Sequence, residues 1–159
     1  MAKYIFFCSH KNGSHPQFSN WFPCKYISSD GIEYPCSEIE FMHKKALYFN
    51  DQETAAEIIE SGNPEIAKKL GRRIAGFNEN KWALVREDIM YNAVKAKFSV
   101  PEMRDILLAT GDAIIVEAAD YDKIWGIGFK EEDAIANINK WGQNLLGNIL
   151  TQVRNELKI

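Results

Sequence analysis

The sequence has little cysteine: Cys8, Cys24 and Cys36 in 159 residues, odd in number and without Cys-x-x-Cys spacing. A disulfide framework and a zinc knuckle are therefore excluded as organising devices, and the three read as reduced thiols. Long hydrophobic runs are also missing. The opening Met-Ala-Lys-Tyr-Ile-Phe-Phe-Cys is too short an apolar run for a secretory signal or a membrane span, and no later run is long enough. The expectation is a cytoplasmic protein with no membrane partner, in which the sequon Asn12-Gly13-Ser14 has no consequence. Neither charge sign dominates. A net charge of -3 gives no global attraction for nucleic acid or anionic lipid, so any phosphate site must be local. His10, His15 and His43 lack ligand spacing, which predicts no metal site, and no internal repeat is found.

What is present is the composition of an ordinary globular protein. Apolar residues make up 46% and charged residues 26%, enough for a sizeable core and too apolar for disorder. Length and the lack of a linker-like stretch predict one domain, residues 1–159. Lys3 to Cys8 and the run Ala113 to Val116 read as buried strands, and Cys24 to Ser28 with Ile32 to Tyr34 flank the hairpin signal Asp30-Gly31. Helical patterns cover most of the rest. They run from Ser37, from a cap at Asn50 or Asp51 to Glu60, from Pro64 to about Arg73, and from Asn80 to Phe98. Two more follow, from Pro101 to near Thr110-Gly111, and from Trp141 to Leu157 with an apolar residue every fourth position. The predicted class is α+β, a predominantly helical domain of about six helices with a small sheet from the N-terminal strands and the hairpin.

The helix after Tyr34-Pro35 carries the first candidate site residue. Pro35 stops the strand before it, and Ser37 with Glu40 has capping-box spacing that predicts Ser37 as the N-cap. Ile39, Met42, Ala46 and Phe49 then form an apolar stripe, and Glu38 falls in the first turn on a flank shared with Phe41, Met42 and Lys45. One reading of Glu38 is an acid favourably placed against the helix dipole; the other is a catalytic acid or base shielded by apolar neighbours.

Other stretches carry a similar double reading. Phe18-Ser19-Asn20-Trp21-Phe22 is either a loop pinned by its rings or a pocket wall in which Asn20 reads a ligand. Lys68, Lys69, Arg72 and Arg73 form either a solvated face or a local phosphate site. Trp82 is by spacing a core residue, although a tryptophan at a helix start can equally present a face to a planar base. Gly126-Ile127-Gly128 lacks the third glycine of a dinucleotide fingerprint. It suits a turn anchored by Trp125, or a loop whose backbone approaches a ligand beside Asp122. Asn144 is expected in the first turn of the last helix.

Taken in order, these pieces resemble the YbiA-like, or NADAR, family. The matching residues are Phe18-Ser19-Asn20-Trp21, Asp30-Gly31 with Tyr34-Pro35, Glu38 with Phe41 and Lys45-Ala46, and Ala67 through Arg72. They continue with Trp82, Met90, Lys97-Phe98, Leu107 through Asp112, Val116-Glu117, Asp122, Trp125 through Gly128, Asn144 through Gly147, and Val153-Arg154. Order and spacing hold from about Gln17 to Leu157. The resemblance implies hydrolysis of an N-glycosidic bond between a ribose and a nitrogen heterocycle, without metal or redox cofactor. The implied substrates are phosphoribosylamino-pyrimidine intermediates of riboflavin synthesis or, alternatively, ADP-ribose on guanine in free or nucleic-acid form; a third reading is a module that binds ADP-ribose without turnover. It implies Glu38 and Asp122 as catalytic carboxylates, Trp82 and Trp125 as stacking surfaces, Arg72 and Lys97 for phosphate, and Asn20, Asn144, Gly126 and Gly128 around the substrate.

Overall fold

The computed structural model describes residues 2–159. In chain order it contains strand β1 (Tyr4–Phe7), a 3-10 turn (Pro16–Phe18), β2 (Tyr26–Ile27), β3 (Glu33–Tyr34), and helices α1 (Ser37–Tyr48), α2 (Gln52–Ser61), α3 (Pro64–Gly71), α4 (Glu79–Lys97) and α5 (Pro101–Leu108). Strand β4 (Ile114–Glu117), a short α6 (Glu131–Ala134), a second 3-10 segment (Ile135–Lys140) and α7 (Leu145–Leu157) complete it. The α+β class with a helical majority is as expected. No helix among the described residues is long and apolar enough to cross a membrane. The elements fall into two compact units, one built from Pro23–Lys97 and the other from the two ends of the chain, up to Phe22 and from Phe98 onward.

In the Pro23–Lys97 unit the hairpin turns at Gly31, whose φ of 86° is open to glycine at little cost. Its strands pair Tyr26 with Tyr34 and Ile27 with Glu33. The helix boundaries follow local chemistry. Asp51 caps α2 by accepting from the Thr54 N–H at 3.0 Å, and its other carboxylate oxygen accepts from the Ala75 N–H at 2.9 Å, tying down the chain after α3. Asn63 caps α3 ahead of Pro64 by accepting from Glu65 N and Ile66 N. Helix α1 packs on α2, α3 and α4. Gly71 lies so close to Met42 that a Cβ there would meet its sulfur, which is why α3 and α1 approach closely at this point.

The other unit is organised by β1 and β4, which pair in parallel from Tyr4↔Ile114 to Phe7↔Glu117. The strands therefore form two separate two-stranded sheets, whereas a single small sheet was expected. The reason is visible in the backbone. Bonds from Ile114 N to Lys3 O and from Ala118 N to Phe7 O, each 2.8 Å, extend the parallel pair at both ends, while the hairpin is satisfied locally. Val116, Ile127 and Ala134 form a core under Tyr4, Phe6, Phe129 and Trp141. Helix α7 buries Leu146, Ile149, Leu150 and Val153 and packs on β4. It begins at Leu145 and not at Trp141 as the four-residue spacing predicted. Trp141 lies outside the helix, edge-on to Tyr4 and Phe6, with its indole N–H donated to Ala134 O at 2.8 Å. Arg154 is buried and donates from Nη1 to Thr110 Oγ1 and Ala113 O, at 3.0 and 2.7 Å.

Candidate active site

Helix α1 starts at Ser37, and its N-cap is Cys36, which offers no side-chain cap. The predicted Ser37–Glu40 capping box does not form, because the Glu40 carboxylate is engaged elsewhere: it accepts from the Tyr26 hydroxyl at 2.7 Å. Burial pushes the Glu40 carboxyl above the usual carboxylate range, against the opposing effect of that bond. Two further links fasten the hairpin to the same helix, one between the Tyr34 hydroxyl and His43 Nδ1 at 2.7 Å and the other an ion pair between Lys44 and Asp30. The first two turns of α1 are thus fastened to the hairpin, and Glu38 sits in the first of them with only 8% of its surface exposed.

Along α1 the residues Glu38, Phe41, Lys45 and Tyr48 recur at helical spacing and share one stripe. Aromatic rings cover that stripe. Trp82, from the first turns of α4, has its ring centroid 5.3 Å from Phe41, 6.2 Å from Phe49 and 6.5 Å from Tyr48. Phe77, from the segment before α4, lies 5.3 Å from Phe49. The Lys45 ammonium donates to the Gly71 carbonyl at 3.1 Å, at the C-terminus of α3. It stands 4.7 Å from the Phe77 ring centre and 5.6 Å from that of Trp82, within cation–π range of both. Burial lowers the Lys45 pKa; Glu79 and Glu38 oppose the shift and Arg72 adds to it. Glu38, Arg72 and Glu79 therefore each act electrostatically on Lys45.

The remaining predicted residues of this unit divide. Trp82 is 5% exposed, with its ring spent on packing and on Lys45. Arg72 is exposed directly after α3, next to the exposed Arg73 and Lys69. Lys97, in the last turn of α4, is 1% exposed. Burial pushes its ammonium down to about 8, and the thiols of Cys24 and Cys36 oppose the shift. The buried positions of α4 are Trp82, Met90, Ala93, Val94 and Lys97.

The other predicted residues belong to the second unit, where the structure shows what they hold in place. Asp122 Oδ1 accepts from the N–H groups of Ile124 and Trp125, both at 2.9 Å, which makes a tight turn. The carbonyls of Ile124, Trp125 and Gly126 then receive the N–H groups of Leu145, Leu146 and Asn144, satisfying donors at the start of α7. Gly126 is needed because a Cβ there would lie 2.8 Å from the Glu117 carbonyl and 3.1 Å from that of Asp122. Gly128 has φ of 78°. Asn144 precedes α7 in a left-handed conformation. Its side chain accepts from Glu117 N and donates to Ile115 O, both at 3.0 Å, in the manner of an added strand residue on β4. Trp125 and Asn20 are half-buried, Asn20 following the turn that ends at Phe18.

Sequence reasoning passed over Lys45 and Phe77 as site residues. Lys45 had a signal, since it lies seven residues from Glu38 on the same flank. Phe77 had none: it sits in Gly76-Phe77-Asn78 between two helices, and only the fold brings it to the ammonium. No cluster of metal-ligating side chains is found among the described residues.

Comparison with known proteins agrees with the resemblance read from the motifs. The family described as the NADAR domain matches residues 6–158, and the chain belongs to that family. It is 41% identical over 165 residues to N-glycosidase R617 of Acanthamoeba polyphaga mimivirus, covering 97% of this chain and 96% of that protein. A maize protein named as the chloroplastic riboflavin biosynthesis protein PYRR is 36% identical over 152 residues, 88% of this chain but 23% of its own length. Among solved structures, the NMR structure of the Escherichia coli protein YbiA superimposes with a TM-score of 0.80 at 32% identity, covering 99% of this chain and 87% of that one.

Proposed function

We propose that this protein is a hydrolase of N-glycosidic bonds acting between a phosphorylated ribose and a nitrogen heterocycle, with riboflavin biosynthesis intermediates as its substrates. The activity is supported by relatives named N-glycosidase that align along nearly the whole chain, and the substrate class by the name of the maize relative. The observation that carries the reading is Glu38, a carboxylate in the first turn of α1, nearly buried, on a stripe covered by aromatic rings and flanked by Lys45.

Departure of the base leaves an oxocarbenium-like ribosyl centre. A carboxylate beside C1 of the ribose stabilises that charge and takes a proton from the attacking water, and that proton balances the one the departing nitrogen gains. Glu38 has that role in this account, and Lys45 shapes the field around it. The exposed guanidinium of Arg72 is the phosphate partner, while Trp82 supports the wall of the site from within. The bonds made by Asp122 and Asn144 commit both side chains to the backbone around β4 and the turn before α7, so neither is assigned proton transfer. The basic, exposed end of α3, with Lys69, Arg72 and Arg73, favours one second reading, removal of ADP-ribose from guanine in a nucleic acid.

The test is release of free base from two substrates side by side, a phosphoribosylamino-pyrimidine and DNA carrying ADP-ribosyl-guanine. Cleavage of the first alone is the expected result. Cleavage of the second alone makes the protein a reversal enzyme for modified nucleic acid, and binding of ADP-ribose without any cleavage makes it a sensor.

A further inference from the structure

Of the two tryptophans expected to stack on the substrate base, Trp82 is committed to the core: Phe41, Tyr48 and Phe49 pack on its ring, and only 5% of its surface is open. Its neighbour Phe77 differs. That ring stands against the same aromatic group through Phe49, yet 43% of the residue remains exposed. An exposed phenylalanine is unremarkable by itself. This one has the Lys45 ammonium over its ring at 4.7 Å, and the ammonium is fixed by the Gly71 carbonyl at 3.1 Å. Lys45 in turn lies on the Glu38 stripe and interacts electrostatically with Glu38 and Arg72. A partly open ring is therefore held against the Lys45 ammonium, which itself feels the charges of Glu38 and Arg72.

We infer that Phe77 is the base-stacking and specificity-determining residue of the Glu38 site, receiving the heterocycle on its open surface and, through Lys45, favouring electron-rich, amino-substituted rings. A cation on one side of an aromatic ring depletes its π-density and strengthens stacking by an electron-rich partner on the other. Amino-substituted pyrimidines meet that description, as does guanine, whereas an unsubstituted pyrimidine does not. This inference rests on the assignment of Glu38 as the catalytic carboxylate.

Equilibrium binding separates it from the reaction itself. Binding of the phosphoribosylamino-pyrimidine and of ribose 5-phosphate, which lacks the base, is measured on Glu38→Gln protein with and without Phe77→Leu or Phe77→Tyr. The expected result is that Phe77→Leu weakens the base-bearing ligand about tenfold or more, the usual scale of one base–aromatic stack. Ribose 5-phosphate is unchanged, and Phe77→Tyr retains affinity. Equal loss for both ligands, or no loss for either, overturns the inference, as does failure of the Glu38→Gln protein with Phe77 intact to bind the base-bearing ligand more tightly than ribose 5-phosphate. If wild type cleaves neither substrate while Phe77→Leu still removes base-dependent binding, the proposed reaction is overturned and the stacking role stands.

Discussion

Lys97 shows how a single residue can carry a functional signature and still be dominated by its surroundings. It ends a helix and belongs to a family motif, which made it a candidate phosphate partner. With 1% exposure its ammonium is held at about 8 by desolvation, below the value of about 10.4 for a lysine in an unfolded chain. Between those two values the unfolded state holds more protons than the folded state, so this residue makes stability rise with pH through that window. Replacing it with methionine removes the effect. Urea midpoints measured from pH 7 to pH 10 should show wild type gaining on Lys97→Met above about pH 8; a constant difference across that range would mean the ammonium is not penalised. Glu38 was legible because first-turn position and flank follow from spacing alone. Glu40 was not, since its partner Tyr26 lies fourteen residues back in the hairpin and only tertiary packing joins them.

Helices with local caps were read well at the level of elements. Asp51 and Asn63 are followed by the N–H groups they bind within three residues, and the pattern is written in adjacent positions. The start of α7 was misread because Trp141 continues the four-residue apolar spacing while Gly142, Gln143 and Asn144 break the helix before it. What begins that helix is a loop supplying three carbonyls from residues 124–126, which no local pattern records. The contact between α7 and β4 depends on Gly147, where a Cβ would collide with the Ile115 carbonyl and the Asn144 side chain. The carbonyl belongs to a paired strand and cannot rotate away. Gly147→Ala should therefore destabilise the fold by about 1–3 kcal/mol, the usual scale of overpacking, measured as a lower denaturation midpoint. An unchanged midpoint would show that α7 is free to move off the strand.

For the whole molecule, composition set the class and motif order set the family, but strand pairing lay beyond both. Which strand joins β1 depends on a partner more than a hundred residues away, and the hairpin, complete in itself, gives no hint of it. The same limit applied to the site. The family motifs named ten residues with Glu38 foremost, and the fold puts Glu38 on a stripe packed with aromatic rings and Asp122 and Asn144 in the turn before α7. The most direct measurement is single-turnover release of base from a phosphoribosylamino-pyrimidine by wild type and Glu38→Gln, together with ligand affinity. The account predicts that Glu38→Gln cuts the rate by about 10²–10⁴-fold, the scale of a lost acid–base group, while affinity changes little. Equal rates in the two proteins would contradict it and remove Glu38 from the reaction.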